Sequence, residues 1–320
     1  MFGTESVWGG AAGDPDVLRM LLSPWTRVVA FVWGLVWGSF ANVLIHRLPR
    51  GLSIVRPRSR CGTCGASIAW YDNIPVVSFV LLRGRCRHCK QAISLRYVVV
   101  ELLAGVLAFT LYIRIVVVPF VSGSSSDPVV VLATWLITFA YGLALIVVTY
   151  TDLDAWIIPD AVVIPMALCG LGLSVLAPEL LAVSWQEAWP AALTGGGFVV
   201  LVRWIYLRVR KLEAMGLGDA KLLVMVGAFS GFRGLYWTVS AGALQGLLVA
   251  VPLLLLGRNV ANSDLESLHG DDPTLGHEDP ARGVMGRRVP FGPFLAVAAL
   301  EFILLRSWID ELFVWLLERP

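Results

Sequence analysis

Along most of this chain, apolar residues do not alternate with polar ones. They run together in long blocks, at 27–46, 97–118, 129–150, 158–177, 190–209, 219–231, 234–257 and 290–306. Most blocks have about the 20 residues that a helix needs to cross a hydrocarbon core of roughly 30 Å. Lipid offers no partner to backbone N–H and C=O groups, so a spanning segment is a helix or part of a closed barrel. Barrel strands alternate with a period of two, which these blocks lack. The pattern predicts an all-α polytopic membrane protein with about eight transmembrane helices. The block 219–231 is short and holds Gly227 and Gly231, so it is either a half-helix or merges with its neighbour.

The polar segments between the blocks differ in charge. Residues 47–96 hold ten basic side chains against one acid, Asp72. With the N-terminus outside, 47–96, 151–157, 210–218 and 258–289 fall on one side. The segments on the other side, 119–128, 178–189 and 232–233, hold one basic residue, Arg233. Positive residues collect on the cytoplasmic side, which makes 47–96 a small cytoplasmic domain. Spans flank this basic segment, so anionic membrane lipids account for its charge and no nucleic-acid partner is expected. Residues 258–289 are rich in Asp, Glu, Gly and Pro and predict a flexible cytoplasmic loop. In the tail 307–320, Trp308, Phe313 and Trp315 predict an interfacial helix. Met1–Asp16 has no Lys or Arg, unlike a cleaved signal peptide, so 1–46 is expected to comprise an N-terminal segment and a retained first span. Composition agrees: 57% of residues are hydrophobic and 15% charged, where a soluble domain carries about a quarter charged.

Cys61-Gly-Thr-Cys64 and Cys86-Arg-His-Cys89 form two C-x-x-C knuckles with 21 residues between them. Four thiolates so spaced can reach the corners of a tetrahedron around zinc. A cytoplasmic location disfavours disulfides, and so small a domain needs a staple. The expectation is a zinc-ribbon-like domain with structural zinc on Cys61, Cys64, Cys86 and Cys89. The competing reading is two redox pairs or free thiols. His88 is expected to be a bystander, and Cys169 a small buried hydrophobe in a span.

The remaining chemistry lies in acids at membrane depth, where charge is costly and implies function. Thr151-Asp152-Leu153-Asp154 leads through Ile158-Pro159-Asp160 into the next span, and Gly216-Leu217-Gly218-Asp219 opens another. Asp160, after Pro159, is expected to be an N-cap. Asp219 also stands at a helix start, but two glycines before it allow close backbone approach and unusual φ values. Two carboxylates brought together can share one proton and activate water, which is aspartic-protease chemistry. An intramembrane acid pair can equally serve proton or cation transport. The residues alone leave both readings open.

Several motifs together narrow the choice. Gly38-Ser39-Phe40-Ala41-Asn42, Trp70-Tyr71-Asp72-Asn73-Ile74-Pro75, Gly84-Arg85-Cys86-Arg87, Ile93-Ser94-Leu95-Arg96-Tyr97 and Val289-Pro290-Phe291-Gly292-Pro293 occur in order along the chain. In these the chain resembles the type IV prepilin leader peptidase/N-methyltransferases, intramembrane aspartic proteases of the bacterial inner membrane. Val98 departs from the family's usual proline, away from any catalytic position. The resemblance implies that the first catalytic acid, six residues before an Ile-Pro step, is Asp152, with Asp154 as rival. It implies that the second, in Gly-x-Gly-Asp, is Asp219, which makes 97–306 a transmembrane aspartic peptidase domain. It further implies prepilin or pseudopilin substrates of a type IV pilus or type II secretion system, cut after a short basic leader at the cytoplasmic face. N-methylation with S-adenosylmethionine would follow, with Gly84 implicated. Alternatives are an intramembrane protease of another substrate class and a non-enzymatic transporter with a zinc domain. Segment 151–160 holds three Asp and no basic residue, so Asp154 and Asp160 are expected to meet the basic leader. Glu101 is expected either to pair with Arg96 or to contact substrate or cofactor.

Overall fold

The computed structural model describes residues 15–122, 127–210, 216–255 and 290–317. The expected 258–289 loop and the stretch 1–14 lie outside the described residues, as do positions 318–320 of the tail. The described residues are helical. They contain no β-strand, only the isolated bridges Arg60↔Ser67 and Arg85↔Ala92. We number the helices α1 (Pro15–Leu22), α2 (Pro24–Arg47), α3 (Val77–Leu81), α4 (Arg96–Tyr112), α5 (Pro128–Ala155), α6 (Asp160–Leu176), α7 (Trp185–Arg210), α8 (Leu217–Leu255) and α9 (Gly292–Leu317). A π-turn carries α4 onward to Val121. Contacts divide the chain into two compact units, Met1–Asn42 with Pro57–Leu143, and Val43–Arg56 with Ala144–Pro320.

Among the described residues, six helices are long and apolar enough to cross a membrane: Pro24–Arg47, Arg96–Val121, Pro128–Ala155, Trp185–Val209, Leu217–Val249 and Gly292–Trp315. Two elements carry the difference from the expected eight. Helix α6, at 17 residues, is about 25 Å long and falls short of a full span. The expected blocks 219–231 and 234–257 are the two arms of α8, separated at Gly231 with φ 61 and ψ −162 and taken together as one helix in that count. This element doubles back. A β-carbon at Gly195 would stand 2.9 Å from the Leu223 carbonyl oxygen and 2.8 Å from Leu235 Cδ1. On a straight helix those two residues would be about 18 Å apart. Gly231 is the only residue type that adopts the backbone angles at the break without strain.

Lipid tails are as apolar as the side chains facing them, so close packing replaces the hydrophobic drive between helices. In the first unit Gly34 and Gly38, four apart on α2, sit against Glu101, Ala104, Gly105 and Ala108 of α4. Polar side chains along this contact are satisfied internally. The Asn42 amide donates to the Tyr97 carbonyl at 2.9 Å, the Tyr112 hydroxyl to the Leu21 carbonyl at 2.9 Å, and the Trp135 indole to the Ala108 carbonyl at 3.0 Å. In the second unit Gly195 and Gly196 of α7 pack on the first arm of α8, and Gly227 packs on Ala191. Leu222, Leu223, Met225 and Val226 are fully buried there. Cys169, expected inside, is exposed on α6. A thiol is apolar enough to face lipid at no penalty.

Candidate functional site

Asp152 lies in the last turn of α5 and Asp219 in the first turn of α8. Both are buried, at 7% and 8% exposure. Each carboxylate is held by the start of a helix, where backbone N–H groups lack intrahelical acceptors and favour negative charge. Asp219 reaches back to accept from the Gly216 amide, so its expected capping role is real but runs from the third helical position. Asp152 accepts from the Gly292 amide, the first residue of α9. A β-carbon at Gly292 would stand 2.5 Å from Asp152 Oδ2. The Ile158 side chain joins the parts. It lies 3.0 Å from the β-carbon position of Gly218 and 3.1 Å from that of Gly292. The two acids interact electrostatically across this small space.

The Gly-x-Gly-Asp glycines matter for proximity, not for unusual φ. Neither Gly216 nor Gly218 has a positive φ, while Gly218 leaves room only for Ile158. Sequence reasoning quoted Gly292 within a motif but gave it no task. The backbone amide it contributes carries no side-chain signature.

Asp160 does not cap α6. The N-cap residue is Pro159, and no side chain caps the helix. The Asp160 carboxylate takes the Lys221 ammonium in two contacts, at 2.7 and 2.8 Å. A proline before a helix start and an acid at it read the same in sequence whether or not a lysine arrives from elsewhere. Asp154 is part-buried on α5 and engaged in an interaction of its own. Trp156, just beyond α5, has φ 53, and its buried indole N–H has no hydrogen-bond partner.

The cysteine tetrad is gathered in the first unit. The Sγ atoms of Cys61, Cys64, Cys86 and Cys89 all lie within 4.8 Å of one another, and Cys61 and Cys89 are 3.8 Å apart. A tetrahedron with Zn–S bonds of about 2.3 Å has edges of about 3.8 Å. The four residues therefore fit zinc, and none is in a disulfide. The two knuckles are built alike. Cys61 N–H donates to the Ala66 carbonyl and Cys86 N–H to the Gln91 carbonyl, both at 2.9 Å. Gly65 and Lys90 occupy matching positive-φ positions, at 68 and 59. The Cys64 and Thr63 amides aimed at Cys61 pull its thiol down to about 6, toward the thiolate a metal needs.

The Trp70–Pro75 motif braces the second knuckle. Asp72 accepts from Arg87, inside that knuckle, at 2.8 and 2.5 Å. The Arg87 guanidinium holds the Asp72 carboxyl below its ordinary range and lies over the Tyr71 ring. The Glu101 carboxylate accepts from the Val76 amide at 2.8 Å and from the Ser39 hydroxyl. Gly84 has φ 65, and the place a β-carbon would take is 2.8 Å from the Phe79 ring. A side chain at this position would meet both backbone strain and the Phe79 ring.

A model of the bacterial peptidase A24 N-terminal domain matches residues 32–115, and a model of the type IV leader peptidase family matches residues 139–251. Similar curated proteins include three named prepilin leader peptidase/N-methyltransferase. The Myxococcus xanthus protein is 33% identical over 90% of this chain and 92% of its own length. The Pseudomonas putida protein is 32% identical over 89% and 91%, and the Aeromonas salmonicida protein 29% identical over 92% and 95%. No solved structure gives a significant match. Similarity this extensive, spanning both matched domains in order, means that the chain belongs to the type IV leader peptidase family.

Proposed function

We propose that this protein is a membrane aspartic endopeptidase that removes the short basic leader of prepilins or pseudopilins with Asp152 and Asp219. The observation that carries this reading is the pair of buried carboxylates, each held by a helix N-terminal amide and joined through Ile158. Membership of the family supplies the reaction class. Two carboxyls that share a dry site hold one proton between them. The ionised one takes a proton from water as the water oxygen attacks the scissile carbonyl carbon, and the protonated one donates to the carbonyl oxygen. The resulting diol collapses as one of its hydroxyls returns a proton to the second carboxyl, the C–N bond breaks, and the leaving nitrogen takes the proton held by the first carboxyl. Gly292 and Gly216 fix the two side chains, and Ile158 excludes bulk water.

The new N-terminus is then methylated with S-adenosylmethionine, a reading that rests on the names of the relatives. Residues 47–96 form the zinc domain, with Cys61, Cys64, Cys86 and Cys89 as ligands to a structural metal that staples the two knuckles. The basic bias of 47–96 supports an inner-membrane location with this domain and the acids on the cytoplasmic side, where a basic leader stays. Asp154 and Asp160 are the acids that would meet the leader, Asp160 doing so beside its Lys221 partner.

Purified protein incubated with a prepilin and labelled S-adenosylmethionine tests both activities. Asp152→Asn and Asp219→Asn are each expected to lower cleavage by at least about 10³-fold, while Asp154→Asn, which loses only a contact to the leader, keeps most of kcat. Cleavage surviving in either of the first two variants removes that residue from the mechanism.

A further inference from the structure

Outside the spans, the first unit carries an apolar surface that its own chain does not cover. On the short helix α3, Val77, Val80 and Leu81 are 50%, 66% and 77% exposed. Their spacing places them on one face, while Ser78 is buried, with its hydroxyl donating to the Tyr71 carbonyl. Trp70 in the preceding turn is 79% exposed and Ile74 42%. Scattered exposed apolar residues need no explanation, but a run of five within twelve positions of a polar, basic segment does.

Two observations indicate what covers it. The first is depth. The Val76 amide is tied to Glu101 at 2.8 Å, and Glu101 lies five residues into α4, whose first residue is Arg96. That holds the start of α3 against the first turns of a helix long and apolar enough to span, beside its end, where an interfacial helix lies. The second is charge. Exposed Arg58, Arg60, Arg83, Arg85 and Lys90 belong to the same segment, and its one acid, Asp72, is already paired with Arg87. Apolar and aromatic side chains beside clustered Arg and Lys match the boundary between acyl chains and anionic headgroups.

We propose that Trp70, Ile74 and the Val77/Val80/Leu81 face of α3 insert into an anionic lipid surface, anchoring the cysteine-knuckle segment flat on the membrane. The anchor is independent of which reaction the acids perform. The Glu101–Val76 hydrogen bond sets its depth, which gives a task to a buried carboxylate that the peptidase chemistry leaves unused.

The test uses the full-length protein in nanodiscs of phosphatidylcholine with or without phosphatidylglycerol. Leu81→p-benzoylphenylalanine and, separately, Val77→p-benzoylphenylalanine are irradiated, and adducts are read by mass spectrometry. Thr63→p-benzoylphenylalanine, in the first knuckle, is the comparator, and bound zinc reports that each variant folds. Phospholipid adducts at 81 and 77 several-fold above those at 63, rising further with phosphatidylglycerol, support the anchor. Equal yields at all three positions mean that the face lies in water and overturn it. An added prepilin that replaces lipid in the adducts at 81 also overturns it, in favour of a substrate-docking surface. If one labelled variant loses its zinc, the other decides.

Discussion

Asp152 depends on a residue with no side chain. The Gly292 amide holds its carboxylate, and the β-carbon of an alanine would fall 2.5 Å from Oδ2, too close for both to stay. Gly292→Ala must therefore push the acid off its position. Misplacing a catalytic group by about 1 Å costs about 10²-fold in rate. We expect kcat for prepilin cleavage to fall by that order with KM nearly unchanged, measured in a purified assay. At the metal site, the amides of Cys64 and Thr63 favour the Cys61 thiolate.

At the scale of elements, the decisive feature is the reversal inside α8. Its second arm returns along α9, with Gly242 against Leu295 and Gly246 against Phe291. That return keeps Asp219, at the start of the first arm, close to Gly292 and Asp152. The break needs a residue that tolerates φ 61 with ψ −162, a region essentially confined to glycine. Gly231→Ala adds about 1–3 kcal/mol of backbone strain and sets a β-carbon 2.5 Å from Glu187 Oε1. A lower thermal midpoint in detergent, with both acids intact but activity reduced, is the expected outcome. Apolar blocks and a glycine on either side of a short gap were visible in sequence. Whether the helix continued or turned back was not, because glycine permits both.

Across the molecule, the helices and the cysteine knuckles rest on different forces. The helices are held by close packing of small residues in lipid. The knuckles, with no strand and few buried side chains among the described residues, depend on the metal for order. Chelation of zinc should therefore expose 57–92 to added protease while helical circular dichroism stays nearly unchanged. Loss of both together would mean that the knuckles also hold the helices in place.

Sequence alone determined what local composition dictates. It yielded the membrane helices from unbroken apolar runs and the gathered set of four thiols from cysteine spacing, and motif position singled out the two acids that the fold buries. Each of these is a property of a short stretch of chain. Tertiary structure decided what depends on meetings between distant stretches. Asp160 proved to be a partner of Lys221, Glu101 a clamp on Val76, Gly292 the donor to Asp152, and α8 a hairpin. Backbone amides and long-range ion pairs leave no periodic trace, since the residue that supplies the partner is chosen by packing and not by its place in the chain.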